Sequence, residues 1–293
     1  MRRFAAVQIF AALFAATVFA AATTPAAPNA GPTLAVEDTM HTEVPEVLVR
    51  APRVTLAEIL DRVAAGEARR DSLLHDQSYL VTARAVGHAN DGKTPQLIEE
   101  TVLRVWQRKP RESRSVEVRH WYAKPPKDED SRKGVRVEAG GGMDEDIVNF
   151  AFQPSARRDF TYRIVGREIL GDHLVYQIAF EPRSALDVFA PSGVVWVDTR
   201  DFVIVRQEVS FRQSPVPLFL RGIERMVVER RQVDGFWVLH RGLVRARTTI
   251  PIPRYGTSMD FSLQFTEYAV NRGVPDSLFA KPAKRAARTE AGR

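Results

Sequence analysis

The chain has 293 residues, of which 44% are hydrophobic and 27% charged, and it contains no cysteine. It is long enough to bury a sizeable core in one domain, and the lack of cysteine excludes disulfides, thiolate nucleophiles, cysteine-ligated metals and a lipidated N-terminal cysteine. The formal net charge of +6 is carried by the two ends, because residues 23–280 sum to zero. The charge therefore gives no support for a nucleic-acid surface.

The first 22 residues have the pattern of a secretory signal peptide. Arg2 and Arg3 precede an apolar run from Phe4 to Ala22, and small residues suited to cleavage end that run. A retained membrane anchor is the alternative, but the run is rich in alanine and only weakly apolar. The sequence thus predicts an exported, periplasmic protein that keeps neither a lipid anchor nor a membrane span. Residues 23–53, rich in Ala, Pro and Thr, are predicted to be a flexible linker.

A helix is predicted at the start of the domain, which spans residues 54–280. Thr55 and Glu58 have the spacing of a capping box. One apolar face recurs at helical intervals, formed by Leu56, Ile59, Leu60, Val63 and Ala64. The opposite, polar side is assigned to Asp61, Arg62 and Glu67. We expect Gly66 to interrupt this helix, with a further turn or two over residues 69–77.

From Tyr79 onward the apolar period changes to two, and β-branched and aromatic residues dominate. Short turn signals such as Gly171-Asp172 and Val233-Asp234-Gly235 separate the segments, and they leave no room for crossover helices. The sequence predicts an antiparallel meander of roughly eight to eleven strands. A polar loop over residues 124–142 and a basic, disordered tail over residues 281–293 complete the chain. Short helical pieces are predicted at 145–152, 185–189, 217–221 and 275–279.

The predicted fold class is α+β: a large, curled antiparallel sheet, unclosed like half of a barrel, with a helical lid. A long twisted sheet of this kind curls, and its apolar face requires a cover. The enclosed space is either a pocket for an apolar ligand or a filled core, and the sequence leaves both open. The candidate cavity residues are Leu56, Ile59, Leu60, Val63, Trp196, Val203, Val205, Trp237, Phe261 and Phe265.

One segment satisfies the formula of a P-loop, namely Gly87 to Thr94 with Lys93 before the threonine. The residue that follows is Pro95, which has no N–H group to offer a phosphate. The preceding strand alternates like a half-solvated antiparallel strand, whereas a P-loop strand is buried on both faces. We therefore interpret residues 90–93 as a hairpin turn.

Other chemical patterns are weak. The six histidines have no metal-ligand spacing, the acidic runs at 128–130 and 144–146 lack the features of a calcium loop, and no nucleophile elbow is present. The basic segment from Arg104 to Lys127 is interpreted as a solvated strand face, with Val116, Val118 and Tyr122 pointing inward. No catalytic residue, metal or cofactor is predicted, and the chain is not expected to be an enzyme.

The later strands resemble a known family. The segment from Gly193 to Asp198, the segment from Phe202 to Glu208 and the closing run from Val270 to Phe279 are together similar to the outer-membrane lipoprotein-sorting superfamily. That group includes the periplasmic lipoprotein carriers of the Lol system and lipid-sensing regulators of envelope stress. The resemblance covers roughly residues 55–280, and it implies a half-barrel whose concave apolar face, lidded by helices, accepts acyl chains.

The resemblance also implies partners. The expected ligand is a lipid, a lipoprotein acyl chain or a similar apolar molecule, bound without catalysis. Burial of each methylene contributes about 0.8 kcal/mol, so part of an acyl chain can supply useful affinity without any reactive residue. The alternative is an envelope sensor or scaffold that acts through contacts with another protein. Nucleic acid is not an expected partner.

Overall fold

A single open sheet of ten antiparallel strands dominates the fold. The computed structural model describes residues 54–88, 94–109, 112–123, 146–214, 220–252 and 255–279. The strands are β1 Asp76–His88, β2 Pro95–Arg108, β3 Glu112–Tyr122, β4 Phe160–Leu170, β5 His173–Pro182, β6 Pro191–Asp198, β7 Ile204–Phe211, β8 Leu220–Val233, β9 Phe236–Ile252 and β10 Gly256–Val270.

The strand order is β3-β2-β1-β10-β9-β8-β7-β6-β5-β4, and every pair is antiparallel. The chain forms one three-stranded meander, continues at the far edge with β4, and returns strand by strand until β10 pairs with β1. Strands β3 and β4 do not pair with each other, so the sheet is not closed. The predicted unclosed antiparallel sheet is thereby confirmed, and its ten strands lie within the predicted range.

Helix α1, Leu56–Leu73, begins as the sequence predicts: the N–H of Glu58 donates to Thr55 Oγ1 at 3.2 Å. Two details of the prediction are wrong. The helix continues through Gly66 to Leu73, because that glycine is a site of close packing and not a break. Glu67 is 5% exposed and not solvent-facing, because it follows Ile59 and Val63 at intervals of four residues on the same face.

The short helical pieces are only partly as predicted. Helix α2 is Asp146–Asn149, within the predicted range, and a 3₁₀ turn at Asp276–Leu278 confirms the last piece. Residues 185–189 form turns without a helix, so that prediction is wrong. Leu220 and Arg221, the described end of the third predicted piece, belong to β8 and are not helical.

The remaining predictions for irregular segments lie outside the described residues. They are the signal peptide, the linker, the turn at 90–93, the polar loop at 124–142, residues 217–219 and the basic tail. On either side of the turn the register is described: His88 pairs with Pro95 and Gly87 with Gln96. The two ends of the P-loop pattern are thus adjacent antiparallel strands, whereas a P-loop leads from a strand into a helix.

Alternation along the strands divides the sheet into two faces. In β10, Met259, Phe261, Leu263 and Phe265 are buried, and the residues between them are partly exposed. The buried set belongs to the same cluster as Ile59 and Val63 of α1. We call the side of the sheet that faces α1 the apolar face and the other side the polar face. The core lies between α1 and the apolar face.

The described part of this core is closely packed. Phe152, Phe180 and Phe265 are each 1% exposed, and Ile59 and Val63 are fully buried. Phe150, Phe160 and Phe180 stack edge to face, with ring centroids about 6 Å apart. The space directly beneath α1 is therefore occupied by side chains, and an apolar ligand would have to take the place of some of them.

The edge strand β3 differs from its prediction. Val116 and Val118 are 44% and 60% exposed, so they do not point into a core. The strand pairs only with β2, and α1 lies over the other half of the sheet. Alternation alone does not tell whether a face has a cover at the sheet edge.

Candidate functional site

Six of the ten candidate residues lie together under the helical lid. They are Ile59, Leu60, Val63, Phe261 and Phe265, in the main cluster, with Leu56 partly buried against it. The lid residues and the β10 residues thus belong to one apolar cluster. This cluster is the part of the predicted lining that the structure brings together.

The other four candidates form a separate group. Val203, Val205 and Trp237 cluster with Val175, and Trp196 packs against them. The indole of Trp237 donates to Asp201 Oδ2 at 2.9 Å. The structure therefore does not join all ten residues in one lining.

The Trp-Val-Asp segment of the family resemblance has a structural part in this chain. Asp198 ends β6 and is 1% exposed, and its Oδ1 accepts hydrogen bonds from the N–H groups of Arg200 and Asp201 at 2.9 and 2.7 Å. Its other oxygen lies 2.8 Å from His173 Nδ1. The carboxylate thus holds the β6–β7 turn, which α1 contacts, because an Asp side chain can replace backbone acceptors in a tight turn.

Helix α1 is attached to the sheet by a buried ion pair. Arg230 Nη1 of β8 donates to both oxygens of Glu67, at 2.7 and 3.0 Å, and the Arg230 and Glu67 side chains are 0% and 5% exposed. Glu67 Oε1 also accepts from the N–H of Ile204 at 2.8 Å. One turn later, Arg70 Nε donates to the carbonyl of Trp237 at 2.6 Å. The C-terminal half of α1 is thus joined to β7, β8 and β9 by polar contacts.

The Glu67–Arg230 anchor was not predicted from the sequence. The signal was present, because Ile59, Val63, Glu67 and Arg70 follow one another at intervals of four and three residues. A charged side chain on that stripe points into the core only if an opposite charge meets it there. The partner, Arg230, is 163 residues away in the sequence, and no local pattern identifies it.

The N-terminal half of α1 has weaker polar attachments. Arg157, from a 3₁₀ turn at Arg157–Asp159 that precedes β4, donates to the Asp61 carboxylate and to the carbonyl of Leu60. The Asp61 side chain is 71% exposed, and ion pairs with an exposed partner contribute about 0–1 kcal/mol. This half of the helix is held mainly by its apolar contacts.

A polar cluster lies on the apolar face at its other end. Glu99 is 8% exposed, with His120 Nε2 2.9 Å from its Oε1 and the Thr101 hydroxyl 3.5 Å from the same oxygen. Glu117 contacts the other ring nitrogen of His120 at 3.3 Å. Burial raises the pKa of the Glu99 carboxyl, and His120 offsets part of that increase.

We expect Glu99→Gln to stabilise the fold slightly at neutral pH. The pKa of Glu99 is higher in the folded state, so ionisation destabilises the fold once the pH exceeds the pKa in the unfolded chain, and the destabilisation is complete above the folded pKa. The variant should therefore exceed the wild type in urea midpoint at pH 7.5 and equal it near pH 3. Glu117→Gln, which alters the exposed partner of His120, is the control and should change neither midpoint.

Three solved structures illustrate what the fold is similar to. An outer-membrane lipoprotein-sorting protein domain from Vibrio parahaemolyticus matches at 10% identity over 75% of this chain and 97% of that chain, with a TM-score of 0.39. A DUF1329 family protein from Desulfovibrio piger matches at 13% identity over 75% and 97%, with a TM-score of 0.33. A LolA superfamily protein from Nitrosomonas europaea matches at 14% identity over 78% and 98%, with a TM-score of 0.30.

Two of these proteins bear the name of the superfamily that the sequence resembles. No family model matches the sequence, and no curated protein matches it. In the described ranges, the helices are too short or too polar to cross a membrane.

Proposed function

We propose that the chain is an exported, periplasmic protein that binds an apolar ligand, such as the acyl chain of a lipid or lipoprotein, without catalysis. The binding surface is the apolar face beneath the N-terminal half of α1. The observation that carries the proposal is the division of this helix: Leu56–Val63 is attached by apolar contacts, and the half that follows is held by the Glu67–Arg230 ion pair.

The free energy of burying the apolar side chains of the lid is similar to that of burying part of an acyl chain. Full burial of a Val, Leu or Ile side chain contributes about 1.5–3 kcal/mol, so Ile59, Leu60 and Val63 together contribute roughly 5–9 kcal/mol. Burying a chain of about eight methylenes contributes roughly 6 kcal/mol. Hydrocarbon can therefore replace the N-terminal half of the lid on the apolar face at little net cost.

The polar anchors determine which end of the helix moves. Breaking the buried pair between Glu67 and Arg230 would leave charge without its counterion in the core, which costs several kcal/mol. Releasing the contacts of Arg157 with the other half exposes groups that water can solvate. The end near Leu56 is the one that opens, and the end near Arg70 acts as the hinge.

The test is binding of cis-parinaric acid, a fluorescent fatty acid, to the purified protein and to two matched variants. Leu56→Glu places a charge on the half-buried side of α1, and Leu73→Glu places the same charge at the other end, where the side chain is 51% exposed. We expect Leu56→Glu to weaken binding by roughly tenfold, because a charge at the binding surface must be desolvated. Leu73→Glu should leave the affinity unchanged.

Two results would contradict the proposal. One is a wild-type protein that binds neither cis-parinaric acid nor a competing fatty acid at micromolar concentrations. The other is an equal effect of the two substitutions, since that would locate the ligand away from the apolar face. Lipid found by mass spectrometry in protein prepared from the periplasm would add direct support.

An envelope sensor or scaffold is the second candidate function. It is favoured by apolar side chains exposed at the tip of the β4–β5 hairpin, where Ile169 is 75% exposed and Leu174 48%. Exposed apolar groups of this kind are typical of contact surfaces. A chain that fails to bind cis-parinaric acid and retains such a contact would belong to this second class.

A further inference from the structure

The polar face of the sheet carries ordered rows of charged and small residues. Register defines two adjacent rows that run across the strands. The first is Arg206, Glu229, Arg241, Gln264 and Thr82. The second is Glu208, Val227, Leu243, Ser262, Arg84 and Glu100. Because these positions pair directly across neighbouring strands about 4.8 Å apart, their side chains lie on one face.

A cavity of about 360 Å³ lies where the middle of the second row is small. Val227, Leu243 and Ser262 are at its base, and guanidinium groups contributed by β1, β7, β8 and β9 surround it. Those groups belong to Arg84, Arg206, Arg225 and Arg241. The volume is within the range of small-molecule sites, which is about 300–1,000 Å³.

The arginines outnumber the carboxylates that bind them. Glu208 contacts Arg225 at 2.7 Å and Arg206 at 3.4 Å, and Glu229 contacts Arg206 at 2.9 Å and Arg241 at 3.0 Å. Glu100 likewise contacts two guanidiniums, those of Arg84 at 2.5 Å and Arg119. Five arginines thus share three carboxylates, which leaves the cluster with a net charge of +2.

Two of the three carboxylates also lie deeper than the most exposed guanidiniums. The side chains of Glu100 and Glu229 are 11% and 17% exposed, whereas those of Arg84, Arg225 and Arg241 are 50–54% exposed. Arginine hydrogen bonds lower the pKa values of Glu100 and Glu208. Glu100 and Glu208 therefore stay ionised beside the arginines, and a ligand that approaches the half-exposed guanidiniums meets positive charge first.

We propose that this arginine-rimmed cavity binds the phosphate group of a phosphate ester. Guanidinium groups present planar sets of N–H donors that match the geometry of phosphate oxygens. Because the arginines outnumber the carboxylates here, N–H donors remain for a phosphate group. The cavity exceeds the size of a phosphate ion, and Val227 and Leu243 offer an apolar surface to the organic part of the ester. The site lies on the face opposite α1 and does not depend on acyl-chain binding there.

A lattice of surface ion pairs is the alternative interpretation. Such pairs contribute about 0–1 kcal/mol each and need neither a cavity nor an excess of one charge. The residues Val227, Leu243 and Ser262 distinguish a binding cavity from a set of surface ion pairs. Charged residues flank them in the same row, yet these three are small or apolar. They form the base of the cavity, and surface ion pairs alone would not require one.

Two probes distinguish a soluble phosphate ester from a lipid headgroup. Calorimetry measures binding of sn-glycerol 3-phosphate. A flotation assay measures binding to vesicles of phosphatidylglycerol, with vesicles of phosphatidylcholine for comparison. Binding of the soluble ester supports a free phosphate ester, and binding only to phosphatidylglycerol vesicles supports a lipid headgroup. Absence of both overturns the proposal.

Variants then locate the site. Replacing Arg225 and Arg241 together by Gln should weaken binding by at least roughly tenfold. The control removes two exposed charges elsewhere, with Arg158→Gln and Arg272→Gln, whose side chains are 80% and 71% exposed and whose partners are Asp159 and Asp234. It should leave binding unchanged, and an equal loss in the control would overturn the proposal by showing that only net charge matters.

A variant that keeps every charge completes the test. Ser262→Phe fills the cavity from β10 and leaves every arginine in the sequence unchanged, and we expect it to abolish binding of the soluble ester. A folded Ser262→Phe protein that still binds at wild-type affinity overturns the proposal, because the cavity would then have no part in recognition. The thermal midpoint of each variant reports whether it is folded.

Discussion

Glu67→Ala is expected to destabilise the fold by about 3–5 kcal/mol, because it removes the counterion of an arginine side chain that is fully buried. The carboxylate also accepts a hydrogen bond from the N–H of Ile204, which alanine cannot do. Urea unfolding of the purified protein, monitored by circular dichroism, measures the change.

The control for this prediction is Glu58→Ala on the same helix. Glu58 also binds an arginine, Arg62, but both side chains are nearly half exposed. Pairs of that kind four residues apart on a helix contribute about 0.3–0.5 kcal/mol. A loss of less than about 1 kcal/mol for Glu67→Ala, similar to the control, would show that the pair is not a buried anchor.

A double substitution separates the charge from the packing. Replacing buried ion pairs by apolar side chains of similar volume is often neutral or stabilising, so Glu67→Leu with Arg230→Met should recover most of the stability that Glu67→Ala loses. If the lid hinges at this anchor, the double variant should also bind cis-parinaric acid differently from the wild type. The ion pair would then be retained for the position of the helix and not for stability alone.

The features that the sequence predicted well are those determined by local periodicity. Alternation at a period of two identified the strands, and Thr55 with Glu58 identified the start of α1. The Asp234-Gly235 turn was also identifiable, because both residues adopt the positive φ values that Asp and Gly tolerate best. Each of these features depends on neighbours within a few residues.

The features that the sequence could not supply depend on register. The arginine-rimmed cavity requires Arg206, Glu229 and Arg241 to fall on one row, and a shift of one residue in any strand would turn that side chain to the other face. Nothing in the sequence of β7 fixes its alignment with β8. The interpretation as a solvated strand face covered only the basic segment from Arg104 to Lys127, and no prediction from the sequence assigned a role to Arg206 or Arg241.

Gly66 was singled out in the sequence, but the reason for a glycine at this position is visible only in the structure. A glycine inside a helix usually costs about 1 kcal/mol relative to alanine, which is why a break was predicted there. In the structure the helix passes over the β6–β7 turn so closely that an added Cβ would lie 2.5 Å from the carbonyl oxygen of Phe202 and 2.6 Å from that of Asp201. Arg69 donates to the same Asp201 carbonyl at 2.9 Å.

We therefore expect Gly66→Ala to destabilise the protein, although alanine is the better helix former. The clash is with backbone atoms of a turn held by Asp198, so neither side can yield easily, and overpacking of this kind costs about 1–3 kcal/mol. A loss of 1 kcal/mol corresponds to a fall in thermal midpoint of about 2–4 °C for a domain of this size.

Gly222→Ala is the matched control, because a Cβ at Gly222 of β8 meets no atom within 4 Å among the described residues. Removing backbone freedom from the unfolded chain at such a site is neutral or stabilises by up to about 1 kcal/mol. Opposite signs for the two substitutions would establish that close approach of α1, and not glycine's flexibility, explains Gly66. If Gly66→Ala instead raises the midpoint, the helix is not seated on the turn, and the account of α1 as a closely fitted lid is wrong.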